Sequence, residues 1–92
     1  MIEINKTFPE IKVDGNDIQF SRKEFSVFLF LWKNKGKICT RDIILNKVWG
    51  LNYFSEGRVT DITVSRLRKK LNIVGMGEKL VTKKGFGYSL QV

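Results

Sequence analysis

One segment of the chain, residues 58–72, carries a helical repeat with two chemically different faces. At about 100° per residue, four of its positions fall within one narrow sector and five fall on the opposite side. The first sector holds Thr60, Val64, Leu67 and Leu71, and the opposite one holds Arg58, Ile62, Ser65, Arg66 and Lys69. The first face can join a hydrophobic core, whereas the second presents basic side chains separated by small or slim residues. We therefore expect a fold that buries the first face and leaves the second accessible.

The size and charge of the chain limit what such a fold can be. Its 92 residues, 42% of them hydrophobic and 28% charged, are typical of one small globular domain. Lys and Arg number 17 against 9 Asp and Glu, which gives a net charge of +8 with no His. A surface this positive predicts a polyanionic partner. The excess of bases lies downstream of residue 24 and is densest in residues 58–70.

Several classes of protein are disfavoured by the same composition. The single Cys39 cannot form an internal disulfide, and the start of the chain lacks a signal-peptide pattern, so we expect a reducing, cytoplasmic compartment. Without His or a second Cys, the chain lacks the usual groups for imidazole catalysis, a Cys-His pair or a zinc site. We therefore expect no enzyme, cofactor or metal. The longest apolar run, residues 25–32, is far shorter than the roughly 20 residues that cross a bilayer.

The beginning of the chain has the pattern of short strands and then of a capped helix. Two short apolar stretches, 11–13 and 18–20, flank the turn-forming sequence Asp-Gly-Asn-Asp at 14–17, which predicts an antiparallel sheet in residues 1–20. Ser21 and Glu24 have the spacing of a capping box. A first helix is predicted over about residues 22–35, with apolar residues at helical spacing before Gly36.

Two further helices and a hairpin complete the predicted order. Thr40 can cap a second helix that ends at Gly50, residues 51–57 read as a loop, and the third helix covers about residues 58–72. Residues 79–92 then read as two strands around a Gly-containing turn, with Lys83 and Lys84 near its tip. The chain is thus divided into an N-terminal sheet (1–20), a three-helix core (21–72) and a wing hairpin (73–92).

In this order, the motifs resemble the DNA-binding effector domain of OmpR/PhoB-type response regulators, a winged helix-turn-helix family of bacterial two-component systems. The motifs are Phe20-Ser21-x-x-Glu24-Phe25, Thr40-Arg41, Val48-Trp49-Gly50, Arg58-Val59-x-Asp61-Ile62-x-Val64-x-Arg66-Leu67-Arg68-Lys69-Lys70-Leu71 and Thr82-x-Lys84-Gly85-x-Gly87-Tyr88. The resemblance covers nearly the whole chain. It implies an α+β fold with a four-stranded N-terminal antiparallel sheet, three helices and a C-terminal β-hairpin wing.

The resemblance also implies a function, which is sequence-specific binding of double-stranded DNA in transcriptional regulation. The third helix would lie in the major groove, with Ile62, Thr63 and Arg66 facing base edges. Phosphates would be met by Arg58, Arg68 and Lys69, and the ends of the second helix would lie near the DNA backbone. The full set of expected DNA-binding residues is Thr40, Arg41, Trp49, Arg58, Ile62, Thr63, Ser65, Arg66, Arg68, Lys69, Lys83 and Lys84.

Some positions depart from the family pattern or allow a second interpretation. Thr63 stands where a His is frequent, and Lys83-Lys84 replaces an apolar-Arg pair, which predicts a less selective wing. Ile62 can contact a thymine methyl group, or it can pack against Tyr53 or Phe54 in the loop. In the family, this loop often touches RNA polymerase, and pairing of two copies on DNA is a further possible interaction.

Two alternatives remain open on the sequence alone. The chain could be a protein-interaction winged helix that uses the apolar residues of its first helix and loop, with its charge serving only solubility. It could also be either an excised effector domain or a stand-alone one, because no receiver domain with an acidic phospho-acceptor pocket precedes the predicted sheet. RNA binding fits less well, because the major groove of A-form RNA excludes a helix.

Overall fold

The computed structural model describes residues 2–5, 7–50 and 58–92. Six strands and three α-helices follow in the order βββ-α-β-α-α-ββ. None of the helices in these residues is long and apolar enough to cross a membrane. Residues 51–57, which the sequence predicts as a loop and which include Tyr53 and Phe54, lie outside the described residues. The expected RNA polymerase contact involves these residues, as does the alternative packing of Ile62 against Tyr53 or Phe54. Both predictions therefore fall outside the described part of the chain.

The N-terminal sheet consists of three antiparallel strands, β1 (Ile2–Ile4), β2 (Glu10–Val13) and β3 (Asn16–Gln19). The resemblance implies four strands here, and the described residues contain three. Between β1 and β2 the chain turns instead of extending, because the side-chain oxygen of Asn5 accepts hydrogen bonds from the backbone N–H groups of Thr7 and Phe8. The inner face of the sheet buries apolar residues from β2 and β3 against the helices.

Helix α1 (Arg22–Lys33) begins with the predicted capping box. The Ser21 hydroxyl accepts from the Glu24 N–H at 3.2 Å, and the Glu24 carboxylate accepts from the Ser21 N–H at 2.9 Å. Its apolar stripe packs into the core, where Phe28 is fully buried. The helix ends two residues before the predicted Lys35. It stops early because Asn34 leaves the helical conformation and its side chain donates to the Phe30 carbonyl oxygen at 2.8 Å.

Helices α2 (Arg41–Trp49) and α3 (Arg58–Asn72) complete the helical core with the predicted bounds. The Thr40 hydroxyl caps α2 by accepting from the Ile43 N–H at 3.1 Å. All four residues of the predicted apolar face of α3 are buried, and the helix packs against both α1 and α2. The hydrophobic face is therefore in the core, and the basic face points away from it.

The C-terminal hairpin belongs to a three-stranded sheet, which the sequence did not predict. Strands β5 (Leu80–Lys83) and β6 (Gly87–Leu90) form the hairpin, and a two-residue strand, β4 (Cys39–Thr40), pairs with the other edge of β6. All four residues of β6 are buried, as expected for a central strand. The wing is thus joined to the segment immediately before α2.

Candidate nucleic-acid interface

The exposed face of α3 is the largest group of expected DNA-binding residues that lie together. Five of them are exposed along this face, namely Arg58, Ile62, Ser65, Arg66 and Lys69. Within the described residues, none of these five has a side-chain hydrogen bond or ion pair. Ile62 is half exposed, at 50%, and has no place in the hydrophobic core. The face therefore combines unengaged cations with an apolar contact surface, which suits a helix that enters a DNA groove.

Thr63 does not lie on this face, which corrects the expectation that it faces base edges. It is only 7% exposed, and its hydroxyl donates to the Val59 carbonyl oxygen one turn earlier at 2.7 Å. This bond satisfies the hydroxyl within the helix, so Thr63 can be buried beside the apolar stripe. The signal was available in the sequence, because Thr63 lies about 40° from Val59 on the helical projection, nearer the buried sector than the basic one.

Arg68, which was expected to contact a phosphate, instead binds to groups within the protein. Its guanidinium donates to the Leu80 carbonyl oxygen from Nε at 3.1 Å and from Nη2 at 2.9 Å, and Nη2 also donates to the Thr82 hydroxyl at 2.8 Å. The side chain therefore attaches α3 to the first strand of the wing. A rigid fork of donors is suited to several acceptors held in one plane, which explains why Arg is effective here.

Lys70, the last base of the dense segment, is turned away from the exposed face. Its ammonium group lies 2.6 Å from a carboxylate oxygen of the buried Glu24 and 5.9 Å from the centre of the Phe20 ring. Burial by itself would raise the pKa of Glu24, but the hydrogen bond and charge of Lys70 and the bond from Ser21 outweigh it and lower the pKa. This pair connects the start of α1 to the end of α3.

Asp61 connects α3 to two neighbouring elements and is the main residue that sequence reasoning left without a role. Its Oδ2 accepts from Arg41 Nη2 at 2.7 Å, and its Oδ1 accepts from the Tyr88 hydroxyl at 2.5 Å. Burial, followed by the hydrogen bond to Asp61 and its negative charge, raises the pKa of Tyr88 to about 12. A signal was present, since Asp61 is the only acidic residue between positions 58 and 72.

The ends of α2 contribute the next three expected residues. Thr40 is exposed and its hydroxyl is used as the helix cap, while Arg41 is exposed and held by Asp61. Trp49 is half buried and packs against the hydrophobic core, and the ammonium of Lys23 lies 5.7 Å from the centre of its ring. The N-terminus of α2 therefore lies beside α3. Trp49, at the other end of α2, packs against the hydrophobic core, whether or not it also lies near DNA.

The tip of the wing carries the last two expected residues. Lys83 and Lys84 are exposed, and the chain reverses at Gly85, which has a φ of +83°. The aromatic ring of Phe86 is 71% exposed at the same tip, a feature that the sequence analysis missed. A cleft lined by Arg41, Asp61, Lys84 and Tyr88, among others, runs between the wing and the helices. The structure thus brings the start of α2, Asp61 of α3 and the wing tip together around one cleft.

Comparison with known proteins finds the same family that the sequence motifs indicate. A family model described as the C-terminal domain of transcriptional regulatory proteins matches residues 15–90. The DNA-binding domain of Bacillus subtilis CssR is similar over 99% of this chain and 100% of that chain, with 36% sequence identity and a TM-score of 0.87.

Two similar structures were solved with DNA segments. The DNA-binding domain of the response regulator AdeR, in complex with an intercistronic region, is 28% identical with a TM-score of 0.86, covering 98% of this chain and 93% of that one. The Klebsiella pneumoniae RstA DNA-binding domain, in complex with the RstA box, is 28% identical with a TM-score of 0.81, covering 96% of this chain and 88% of that one.

Proposed function

Because the chain belongs to the family of C-terminal domains of transcriptional regulatory proteins, we propose that it binds specific sequences in double-stranded DNA and thereby regulates transcription. The observation that carries the proposal is the exposed face of α3, where three cations, a hydroxyl and Ile62 lie opposite the buried stripe. The proteins AdeR and RstA, whose DNA-binding domains were solved with DNA, support the same role by similarity.

In the proposed complex, α3 lies in the major groove. Arg66 and Ser65 contact base edges, and Ile62 packs against a thymine methyl group. Arg58 and Lys69, at the two ends of the exposed face, neutralise phosphates and supply affinity that does not depend on sequence. Base reading by Thr63 is no longer part of the proposal, because its hydroxyl is buried and bonded within the helix.

The remaining contacts come from the start of α2 and from the wing. The N-terminus of α2, with Thr40 and Arg41, faces a phosphate, since free backbone N–H groups and the helix dipole attract anions. Trp49 lies near the DNA backbone at the other end of α2. The wing tip reaches the adjacent minor groove with Lys83 and Lys84, where a negative potential attracts cations.

The compartment and two further interactions complete the proposal. The cytoplasm of a bacterial cell is the compartment, because it holds the DNA. RNA polymerase contacts the loop of residues 51–57, and two copies of the domain bind neighbouring half-sites as a pair. We propose no enzymatic activity for the domain.

The proposal can be tested by measuring binding to duplex and single-stranded oligonucleotides in competition, followed by selection of bound sequences from a random duplex library. We expect preferential duplex binding and a recoverable sequence motif, whose repeat spacing would report the arrangement of the two copies. Absence of binding to any oligonucleotide would instead favour the protein-interaction winged helix. Duplex binding without any recoverable motif would refute specific readout.

A further inference from the structure

The carboxylate of Asp61 joins three elements of the proposed DNA-binding surface. Asp61 belongs to the first turns of α3, and its two oxygens accept from different partners. One partner is Arg41, the first residue of α2, and the other is Tyr88, in the central strand of the wing. A single side chain on α3 therefore holds both the start of α2 and the wing.

We propose that Asp61 is a positioning residue that fixes the wing and Arg41 relative to the exposed face of α3, so that major-groove and minor-groove contacts form as one unit. This inference rests on the proposed DNA binding and adds a role for a residue that itself touches no DNA. It assigns the placement of the wing to the hydrogen bond from Tyr88, and the orientation of Arg41 to the ion pair, rather than to packing alone.

The exposure of Arg41 and Asp61 indicates that their ion pair orients the two side chains and adds little to stability. The side chains of Arg41 and Asp61 are 44% and 40% exposed, and ion pairs exposed to this degree contribute little to the free energy of unfolding. Arg41 nevertheless keeps an accessible guanidinium that the carboxylate orients. A cation that is oriented before binding loses less conformational freedom when it meets a phosphate.

The hydrogen bond from the Tyr88 hydroxyl to Asp61 holds the wing. The Tyr88 ring is buried, and its hydroxyl stays protonated because its pKa is about 12, so it remains a donor to Asp61 at every pH of biological interest. Arg68 makes a second attachment on the other wing strand, through the Leu80 carbonyl oxygen. Both strands of the hairpin are therefore bonded to α3, which sets the separation between the helix face and the wing tip.

The two grooves can be probed separately on one duplex that carries the selected sequence. Dimethyl sulfate reports protection of guanine N7 in the major groove, and hydroxyl radicals report protection of the sugars that line the minor groove. The variants are Tyr88→Phe, which removes only the hydroxyl, and Asp61→Asn, which keeps the shape and removes the charge. Asp42→Asn is the matched control, because Asp42 is an exposed acid in the first turn of α2 and changes the net charge equally.

We expect both test variants, at saturating protein, to keep the major-groove protection and to lose most of the minor-groove protection beside it. Their duplex affinity should fall about tenfold, as expected when a charge-assisted hydrogen bond is removed. Asp42→Asn should retain both protections.

Four results would contradict the inference or the proposed function. Full minor-groove protection in both test variants would overturn the inference. Equal weakening of both protections would also overturn it, because that pattern reports a general loss of folding. If the unchanged protein protects the major groove alone, there is no wing contact to position and the inference fails. If the unchanged protein protects neither groove, the proposed function itself fails.

Discussion

The guanidinium of Arg68 lies against the carbonyl oxygen of Leu80, with Nε at 3.1 Å and Nη2 at 2.9 Å. Leu80 is the first residue of strand β5 in the wing, and its side chain is buried in the core. A backbone oxygen next to a buried side chain would be poorly hydrated, so two donors from one charged group are an effective substitute for water. Helix α3 thereby supports the wing.

Replacing Arg68 with Ala should lower the free energy of unfolding by about 1 to 3 kcal/mol, because the Leu80 oxygen loses two charge-assisted donors. Arg68→Lys should recover only part of this loss, since one ammonium cannot reproduce the planar fork. Urea denaturation measures both effects, with Lys69→Ala as the neighbouring control. Unchanged stability together with a weaker salt dependence of DNA binding would restore Arg68 to the role of a phosphate contact.

Arg66→Ala should weaken binding to the selected duplex by about 1 to 3 kcal/mol and relax the preference at one base position. The reason is its exposed position on α3 with no bonding partner among the described residues. Lys69→Ala should instead weaken binding equally on all sequences and reduce the slope of log affinity against log salt by about one unit. Titrations on substituted duplexes at several salt concentrations separate the two, and exchanged outcomes would mean exchanged roles.

Lys84→Ala should weaken binding more on duplexes with A·T-rich flanks than on those with G·C-rich flanks, because narrow A·T grooves have an enhanced negative potential. Lys84→Arg should strengthen this dependence. Lys83→Ala, at the neighbouring proposed contact on the same exposed tip, is the comparison variant. Equal small losses for both alanine variants on both flanks would show that the wing contributes only charge.

The Glu24–Lys70 pair predicts a specific acid sensitivity. The pKa of Glu24 in the folded protein is below its ordinary value of 4.5, so the carboxylate stabilises the fold above that pH. This contribution is lost as the pH falls through the lowered pKa, because protonation removes the ion pair. Glu24→Gln should cost about 1 to 3 kcal/mol at neutral pH and flatten the decline in stability below pH 4.5.

Thermal unfolding from neutral to acidic pH tests this expectation. Glu78→Gln is the control, since Glu78 is exposed in the short 3-10 turn before β5. If Glu24→Gln followed the same pH curve as the unchanged protein, Glu24 would have no part in the acid response.

Gly87→Ala should destabilise the domain severely, by about 4 kcal/mol. A Cβ at this position would lie 2.0 Å from the Cys39 carbonyl oxygen and 2.8 Å from the Thr40 Cα, and backbone atoms cannot rotate away. Gly85→Ala, in the same hairpin, meets no atom within 4 Å and should cost only about 1 to 2 kcal/mol from its positive φ. Circular dichroism against temperature would compare them, and similar losses would show that β4 can move aside.

Features encoded by neighbouring residues were predictable from the sequence. The two faces of α3 follow from its helical period, so its bounds and the burial of its four predicted apolar-face residues agree with the structure. The capping box of Ser21 and Glu24 and the cap of Thr40 are similarly local. The exposure of Ile62 and Arg66 followed from the same period.

Features that depend on distant partners were not predictable. Strand β4 has only two residues and exists because β6 pairs with it, and no local pattern announces such a strand. The roles of Arg68 and Asp61 depend on where Leu80 and Tyr88 lie, which is a property of the tertiary structure. Thr63 was assigned to the wrong face because a family role was carried over to a side chain that its own helix can satisfy.

The pairing of Cys39 with Tyr88 in the wing sheet has a consequence for the chain during its synthesis. The two residues are separated by roughly 50 positions, which a ribosome adding about 5 to 20 residues per second covers in a few seconds. During that interval α2 and α3 are synthesised, while β4 has no strand to pair with and the face of α3 towards the wing is uncovered. In the proposed complex, the contacts between the wing and DNA can therefore form only after β6 has emerged from the ribosome.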